Sequence, residues 1–344
     1  MGGLALVTGS SGLLGGCLVA RLRERAVPVR LLDVEPPPPG RATPDDEVRV
    51  ADLRDAAAVA DACRDVKVIY HLAAGQRMKP QFAGMSERDI LTMNVTAIRH
   101  VLEAAQRCGV RKVVHISSSG VYGVPRTIPV RETDHPLAPL GAYGRSKVVG
   151  ETLCREAVAQ GLDVTVLRPM SLFGPGMTGV FVLLFDWVRQ GKNVYLLGSG
   201  RNRVQMVSAW DVADACLLAT ARPESRGAVL NLGATEVPTV RAQVEALIAH
   251  ARSPSRIVPI PAGLLRNTAR VLNLVRLSPI VPEHYLLADT TFILDVREAA
   301  RVLGWQPRYS NVAMTCEAYD WYCAHLATHA PRHGLLMRLL NAIS

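Results

Sequence analysis

Leu4-Ala5-Leu6-Val7-Thr8-Gly9-Ser10-Ser11-Gly12-Leu13-Leu14-Gly15 decides how the rest of the chain is read. Leu4 to Val7 is a short apolar run without helix caps, which suits a buried parallel strand. Leu13 to Leu22 continues as an apolar pattern with helical spacing. Strand, glycine turn and helix, in that order, is the setting in which a glycine motif holds a dinucleotide. Gly9 allows the tight turn, Gly12 lets the backbone approach a pyrophosphate, and Gly15 lets the helix pack closely on the strand. With Ser11, Leu13 and Leu14, these glycines bring the helix amino terminus, with its N–H groups and partial positive charge, to the phosphates.

A second strand, Val29-Arg30-Leu31-Leu32, ends at Asp33. An acid there accepts hydrogen bonds from the adenosine ribose hydroxyls and repels a 2′-phosphate, so NAD is expected rather than NADP. Arg30 precedes the strand end and should not offset this. Strands and helices then alternate: β at 4–8, α at 12–25, β at 28–33, α at 55–64, β at 66–72, α at 87–108, β at 111–117, α at 142–160 and β at 163–168. The pattern implies an α/β fold, a Rossmann-type doubly wound parallel sheet. After Pro169 it loosens. Residues 1–169, with 201–233 returning to the sheet through a helix at 209–221 and a strand at 228–231, are expected to form the NAD-binding domain. Residues 170–200 and 234–330 should form a smaller carboxy-terminal substrate lobe, and 331–344 a basic amphipathic tail that frays by default.

Tyr143 and Lys147 lie four apart at the start of a helical run, with Ser117, Ser118 and Ser119 upstream. Residues four apart share a helix face, Cβ atoms about 5–6 Å apart. A free phenol, with a pKa of about 10, is a poor base at neutral pH. Bringing it to about 7 takes roughly 4 kcal/mol, which a lysine and a cationic nicotinamide ring together can supply.

The chain has 344 residues, 49% of them hydrophobic, ample for a large core. Its seven cysteines are scattered singly, without a Cys-x-x-Cys or a leader-like start, so reduced thiols and a cytoplasmic location are expected. No run approaches eighteen uninterrupted apolar residues; Phe181 to Val188 is short and contains Asp186. The net charge of +9 would favour anionic substrates such as nucleotide sugars. An arginine-rich solvated surface is the plainer reading, and no basic run interleaves with aromatics as nucleic-acid binding would require. His325, His329 and His333 look like a metal stripe, but Pro331 interrupts it and no acid or cysteine completes a set. They are read as surface or packing residues, and no metal is expected.

With these residues on the page, the chain resembles the extended short-chain dehydrogenase/reductases, of the NAD-dependent epimerase/dehydratase kind. Asp52-Leu53 resembles the family's adenine-contacting pair, and His71-Leu72-Ala73-Ala74 its strand-end turn beside the cofactor. Asn94 falls where the family has a structural asparagine. Ser117 to Gly123 matches its Ser-Ser-x-x-Val-Tyr-Gly stretch. Arg168-Pro169, Phe173-Gly174-Pro175-Gly176 and Leu303-Gly304-Trp305-Gln306-Pro307 match later segments.

The resemblance implies roles. Tyr143 would be the acid–base group, Lys147 would lower its pKa and hold the nicotinamide ribose, and Ser118 (Ser119 as second choice) would hydrogen-bond the substrate oxygen. The family's 4,6-dehydratases carry an acid pair after this serine or threonine. Here Ser119 and Gly120 follow, and neither serves as acid or base, which disfavours a dehydratase. A 4-epimerase working through a transient ketone on a nucleotide-activated sugar is the leading expectation. In the substrate lobe, Ser171 stands where many relatives have asparagine. Val204, followed by Gln205-Met206, stands where many have a phosphate-pairing arginine, leaving Arg201 or Arg203 to substitute. This lower polarity resembles the 3β-hydroxysteroid dehydrogenase branch and keeps a sterol-like or other lipid secondary alcohol as the alternative. A non-catalytic NAD-sensing regulator is a distant third, since Tyr143 and Lys147 are both present. The family also suggests a homodimer through the helices at 87–108 and 142–160.

Overall fold

The computed structural model describes residues 3–76, 82, 84–134, 136–177, 180–260 and 289–326. Segments 261–288 and 327–344, which include the expected tail, His329 and His333, lie outside the described residues.

The first half of the chain runs β1 (Leu4–Thr8), α1 (Leu13–Arg23), β2 (Val29–Asp33), β3 (Glu47–Val50), α2 (Ala56–Ala62), β4 (Val66–His71), α3 (Glu87–Arg107), β5 (Lys112–Ile116), α4 (Ala142–Ala159) and β6 (Val164–Pro169). Then follow β7 (Ser171–Phe173), α5 (Val180–Gln190), β8 (Val194–Leu197), β9 (Met206–Ser208), α6 (Ala209–Ala221), β10 (Val229–Leu232), α7 (Val240–His250), β11 (Ile257–Ile260), α8 (Arg297–Leu303) and α9 (Asn311–Ala324).

Seven parallel strands form one sheet in the order β3-β2-β1-β4-β5-β6-β10. The inner strands are buried on both faces, which is why β1, β2, β5 and β6 are mostly apolar, with Arg30, Lys112, His115 and Arg168 as buried charged or polar exceptions. One face packs against α1 and α6, with Leu18, Leu31, Val114, Val212 and Trp305 in its core. The other packs against α2, α3 and α4 around Leu6, Ile69, Ile98, Val101 and Val164. The fold is a Rossmann-type doubly wound α/β sheet.

The edge strand β3 was not expected. Its four residues, Glu47-Val48-Arg49-Val50, are almost wholly exposed, so burial leaves no apolar run to mark it. A third apolar cluster lies apart from the sheet, built from α5, β8, α7 and α9 around Phe185, Trp187, Leu247, Met314 and Tyr322.

Strand order reverses between β1 and β4. At such a switch point the loops leave a crevice at the carboxyl ends of the strands, where ligands of open α/β sheets bind. The loops after β1, β4, β5 and β6 therefore converge on one edge.

Candidate active site

The glycine turn after β1 is shaped by contact. Gly9 has φ +72°, and a Cβ there would meet the Ala73 nitrogen at 2.8 Å. A Cβ on Gly15 would meet the Gly9 carbonyl oxygen at 2.4 Å, so the first turn of α1 sits directly on the loop. Gly12, the residue capping α1, would meet only the Gly9 oxygen, at 3.3 Å, and otherwise faces open space. That helix end has no side-chain cap and no acid in its first turn. The pole stays positive and uncovered, as a bound pyrophosphate requires. Leu13 and Leu14 open the helix; Leu14 is buried.

Asp33 closes the loop from the second strand. One carboxylate oxygen accepts from the Ser11 N–H at 2.9 Å, the other from the Val34 N–H at 2.8 Å. Arg30 turns away, donating to Glu47 and to the carbonyls of Ala62 and Arg64. A cation the sequence reading missed comes instead from Arg41, which donates to the Gly12 carbonyl at 2.8 Å.

Beyond the sheet edge, Asp52 pairs with Arg54 at 2.6 Å. The Leu53 side chain is buried in the core beside α3 rather than offered to a ligand. After β4, the Leu72 N–H donates to the Thr8 carbonyl, and Ala73 lies on Gly9, with Ala74 next in the turn. Asn94 is spent on the loop after β4. Its amide accepts from the Gly75 N–H at 2.8 Å and donates to the Gly75 carbonyl and the Ser146 hydroxyl, both at 3.0 Å. Both N–H donors are used, so Asn94 holds the loop instead of touching a cofactor.

Tyr143, Lys147 and Glu151 lie at i, i+4 and i+8 on α4. The Lys147 ammonium sits 5.6 Å from the centre of the Tyr143 ring and donates to the Ile116 carbonyl at 2.7 Å. The polar side chains of Ser118 and of Gln76, the latter not anticipated, act on the buried Tyr143 phenol. Burial pushes the phenol above its ordinary value, and Gln76 and Ser118 only partly offset it. The expected downward pull from Lys147 is therefore not what dominates. Ser118 also accepts from the Gly120 N–H at 3.1 Å, at the head of a short 3₁₀ turn that buries Ser119.

Ser117 departs from expectation: its buried hydroxyl donates its proton to Glu151 rather than to a cofactor. Glu151 takes both ends of the Arg168 guanidinium, at 2.9 and 2.6 Å. Arg168 also donates to the Tyr122 hydroxyl at 2.7 Å, which donates to Asn231 at 2.8 Å. This chain anchors the ends of β5, β6 and β10, with Pro169 opposite Leu232. Behind the site, His71 and His115 are cross-strand neighbours with rings stacked at 5.3 Å.

The substrate-side candidates are spread out. Ser171 is exposed at the start of β7, and Arg201 and Arg203 are exposed in the loop before β9. Val204 bridges to buried Phe292. Met206 is buried in the third cluster, with its sulfur against Gln243 at 3.4 Å, so it does not line an open pocket. His325 stacks on Trp321 at 4.2 Å.

Comparison with known proteins gives these residues a setting. The profile of the NAD dependent epimerase/dehydratase family matches residues 5–233. A Sinorhizobium fredii protein, y4nG, of uncharacterized function, is 36% identical over 327 residues, 94% of this chain and 80% of that one. The UDP-glucose 4-epimerase of Mycolicibacterium smegmatis is 31% identical over 339 residues, covering 91% of this chain and 97% of that protein. Among solved structures, a double mutant of dTDP-glucose 4,6-dehydratase from Streptomyces venezuelae, with NAD bound, superposes at a TM-score of 0.76 with 25% identity, covering 94% of this chain and 98% of its own.

Proposed function

Because the chain belongs to the NAD-dependent epimerase/dehydratase family, and is thus an enzyme that uses NAD, we propose that it oxidises a secondary alcohol of a nucleotide-activated sugar and returns the hydride to the other face. The observation that carries the chemistry is Lys147 at 5.6 Å from the Tyr143 ring on α4, whose first turn packs at Gly144 against Gly120 of the short turn headed by Ser118 after β5.

The residues present fit the cofactor. Gly12 leaves a cradle that a Cβ would narrow, α1 presents an uncapped positive end, and Asp33 stands fixed at the adenosine side. NAD, when bound, supplies the hydride acceptor. Ser118 holds the substrate oxygen. Tyr143 as phenolate takes its proton while the carbon gives up hydride, and returns it when the ketone is reduced. Lys147 holds its ammonium on the Ile116 carbonyl, beneath the phenol, and would hold the nicotinamide ribose. No acid follows Ser118, since Ser119 and Gly120 stand there, so elimination has no evident catalyst and epimerisation is the simpler outcome.

Likeness over almost the full length of a UDP-glucose 4-epimerase supports the nucleotide-sugar class. The exposed Arg201 and Arg203 are the cations that would meet its phosphates. One observation favours a second reading: Val204, at the usual arginine position, is paired with Phe292. A position without a cation suits a sterol-like alcohol oxidised without return of the hydride. Proton NMR of a UDP-hexose incubated with protein and NAD tests the choice. Appearance of the 4-epimer without net NADH supports the first reading. NADH accumulating with a 3β-hydroxysterol, and an unchanged sugar, supports the second.

A further inference from the structure

Gly16 follows the three turn glycines in α1, and the strand–turn–helix motif does not call for it. The fold gives it another use. A Cβ there would lie 2.5 Å from the guanidinium carbon of Arg41, so the arginine head occupies the space that a side chain would take. From that place Arg41 donates to the Gly12 carbonyl at 2.8 Å. The carbonyl already accepts the Gly16 N–H at 3.0 Å and does not depend on a side-chain donor. The loop that carries Arg41 is also anchored without its guanidinium. Arg23 donates to the Arg41 carbonyl at 2.8 Å and pairs with Asp46, which accepts from the Thr43 N–H at 2.7 Å.

We propose that Arg41 is a further cofactor-binding residue, whose guanidinium adds a full positive charge at the amino end of α1 for the pyrophosphate of NAD. The proposal rests on the family's use of NAD and is independent of the substrate. A cation at a helix amino terminus opposes the helix dipole and becomes favourable there when an anion joins it. Arg21 and Arg23 on α1 have carboxylate partners in Glu24, Asp214 and Asp46, whereas among the described residues no carboxylate is paired with Arg41. The Asp33 carboxylate is engaged by the N–H groups of Ser11 and Val34. The free N–H groups of α1 supply partial charge, and an arginine beside them supplies a whole one, which suits a doubly charged diphosphate. Arg41 is half-buried against the helix, so little ordering remains for it when the cofactor arrives. Glycine inside a helix is unfavourable relative to alanine, and the seat it leaves for Arg41 accounts for Gly16.

The test is calorimetry of the full chain with NAD, ADP-ribose and adenosine, the last of which lacks the diphosphate. Arg41→Gln should lose about tenfold or more in affinity for NAD and ADP-ribose, the scale of a charge-assisted hydrogen bond, and should bind adenosine as the wild type does. The loss should shrink as salt is raised. Gly16→Ala displaces the guanidinium while keeping the arginine in the chain, so it should weaken ADP-ribose binding too. In the Arg41→Gln background the same change should add nothing, which isolates the contact between the two residues. An Arg41→Gln protein that binds ADP-ribose as tightly as wild type overturns the proposal. So does an equal loss for adenosine, which would make Arg41 a support of the loop rather than a partner of the phosphates. None of these readings needs turnover, so a failure here is distinct from a failure of the acid–base or substrate assignments.

Discussion

Arg168 and Glu151 form a bidentate ion pair one helical turn beneath Lys147, each side chain about one-twentieth exposed. The carboxylate also takes the Ser117 hydroxyl and the guanidinium also meets Tyr122, so the pair anchors the strand ends that carry the site. A buried pair adds little over a well-packed apolar one, but losing one partner strands a charge. Glu151→Gln or Arg168→Met should each lose about 3–5 kcal/mol in urea unfolding. The double change to methionine should lose less than the sum of the single changes. Single losses below about 1 kcal/mol would show that the pair does not hold the site together.

Asp33 should set cofactor choice. Its carboxylate is fixed by the N–H groups of Ser11 and Val34, where it repels a 2′-phosphate. Asp33→Ala removes that repulsion and leaves Arg41, whose guanidinium lies on Gly12. Calorimetry should give wild-type protein binding NAD more tightly than NADP. The variant should lose about tenfold or more in NAD affinity, the scale of charge-assisted hydrogen bonds, while closing the gap to NADP. Wild-type protein that binds NADP as tightly as NAD contradicts the role given to Asp33.

Stability should fall in mild acid because of the stacked histidines. Burial holds His71 down to about 3 and His115 well below its ordinary value of 6.5. As pH falls below about 6.5 the unfolded chain gains protons on these residues and the folded chain does not. Stability present above that value is lost progressively toward pH 3. His115→Phe, which keeps a ring against His71, should flatten the slope between pH 7 and 5 in urea unfolding. An unchanged slope would remove His115 from the acid response.

Much of this was legible because its signals are local. The Gly9, Gly12 and Gly15 spacing, Asp33 at a strand end and the Tyr143–Lys147 interval each need only a few consecutive residues. The sheet followed from apolar runs buried on both faces. What escaped depends on contacts between distant parts of the chain. Asn94 on α3 holds Gly75 in the loop after β4, and Arg41 reaches Gly12 from a proline-rich loop. Ser117 reads as a site serine, yet its hydroxyl belongs to Glu151, 34 residues on. Strand β3 escaped because its exposed edge bears no apolar pattern.

The central claim is that Tyr143 moves the proton as hydride moves to and from NAD, and the most direct measurement is the turnover of Tyr143→Phe against wild type with a nucleoside diphosphate hexose and saturating NAD. The phenyl ring keeps the packing beside Lys147 and Ser118, so NAD affinity and thermal stability should be unchanged. Turnover should drop by at least about 10²-fold, the usual contribution of a general acid–base group. A folded, NAD-binding Tyr143→Phe protein that interconverts the substrate at near wild-type rate would contradict the account.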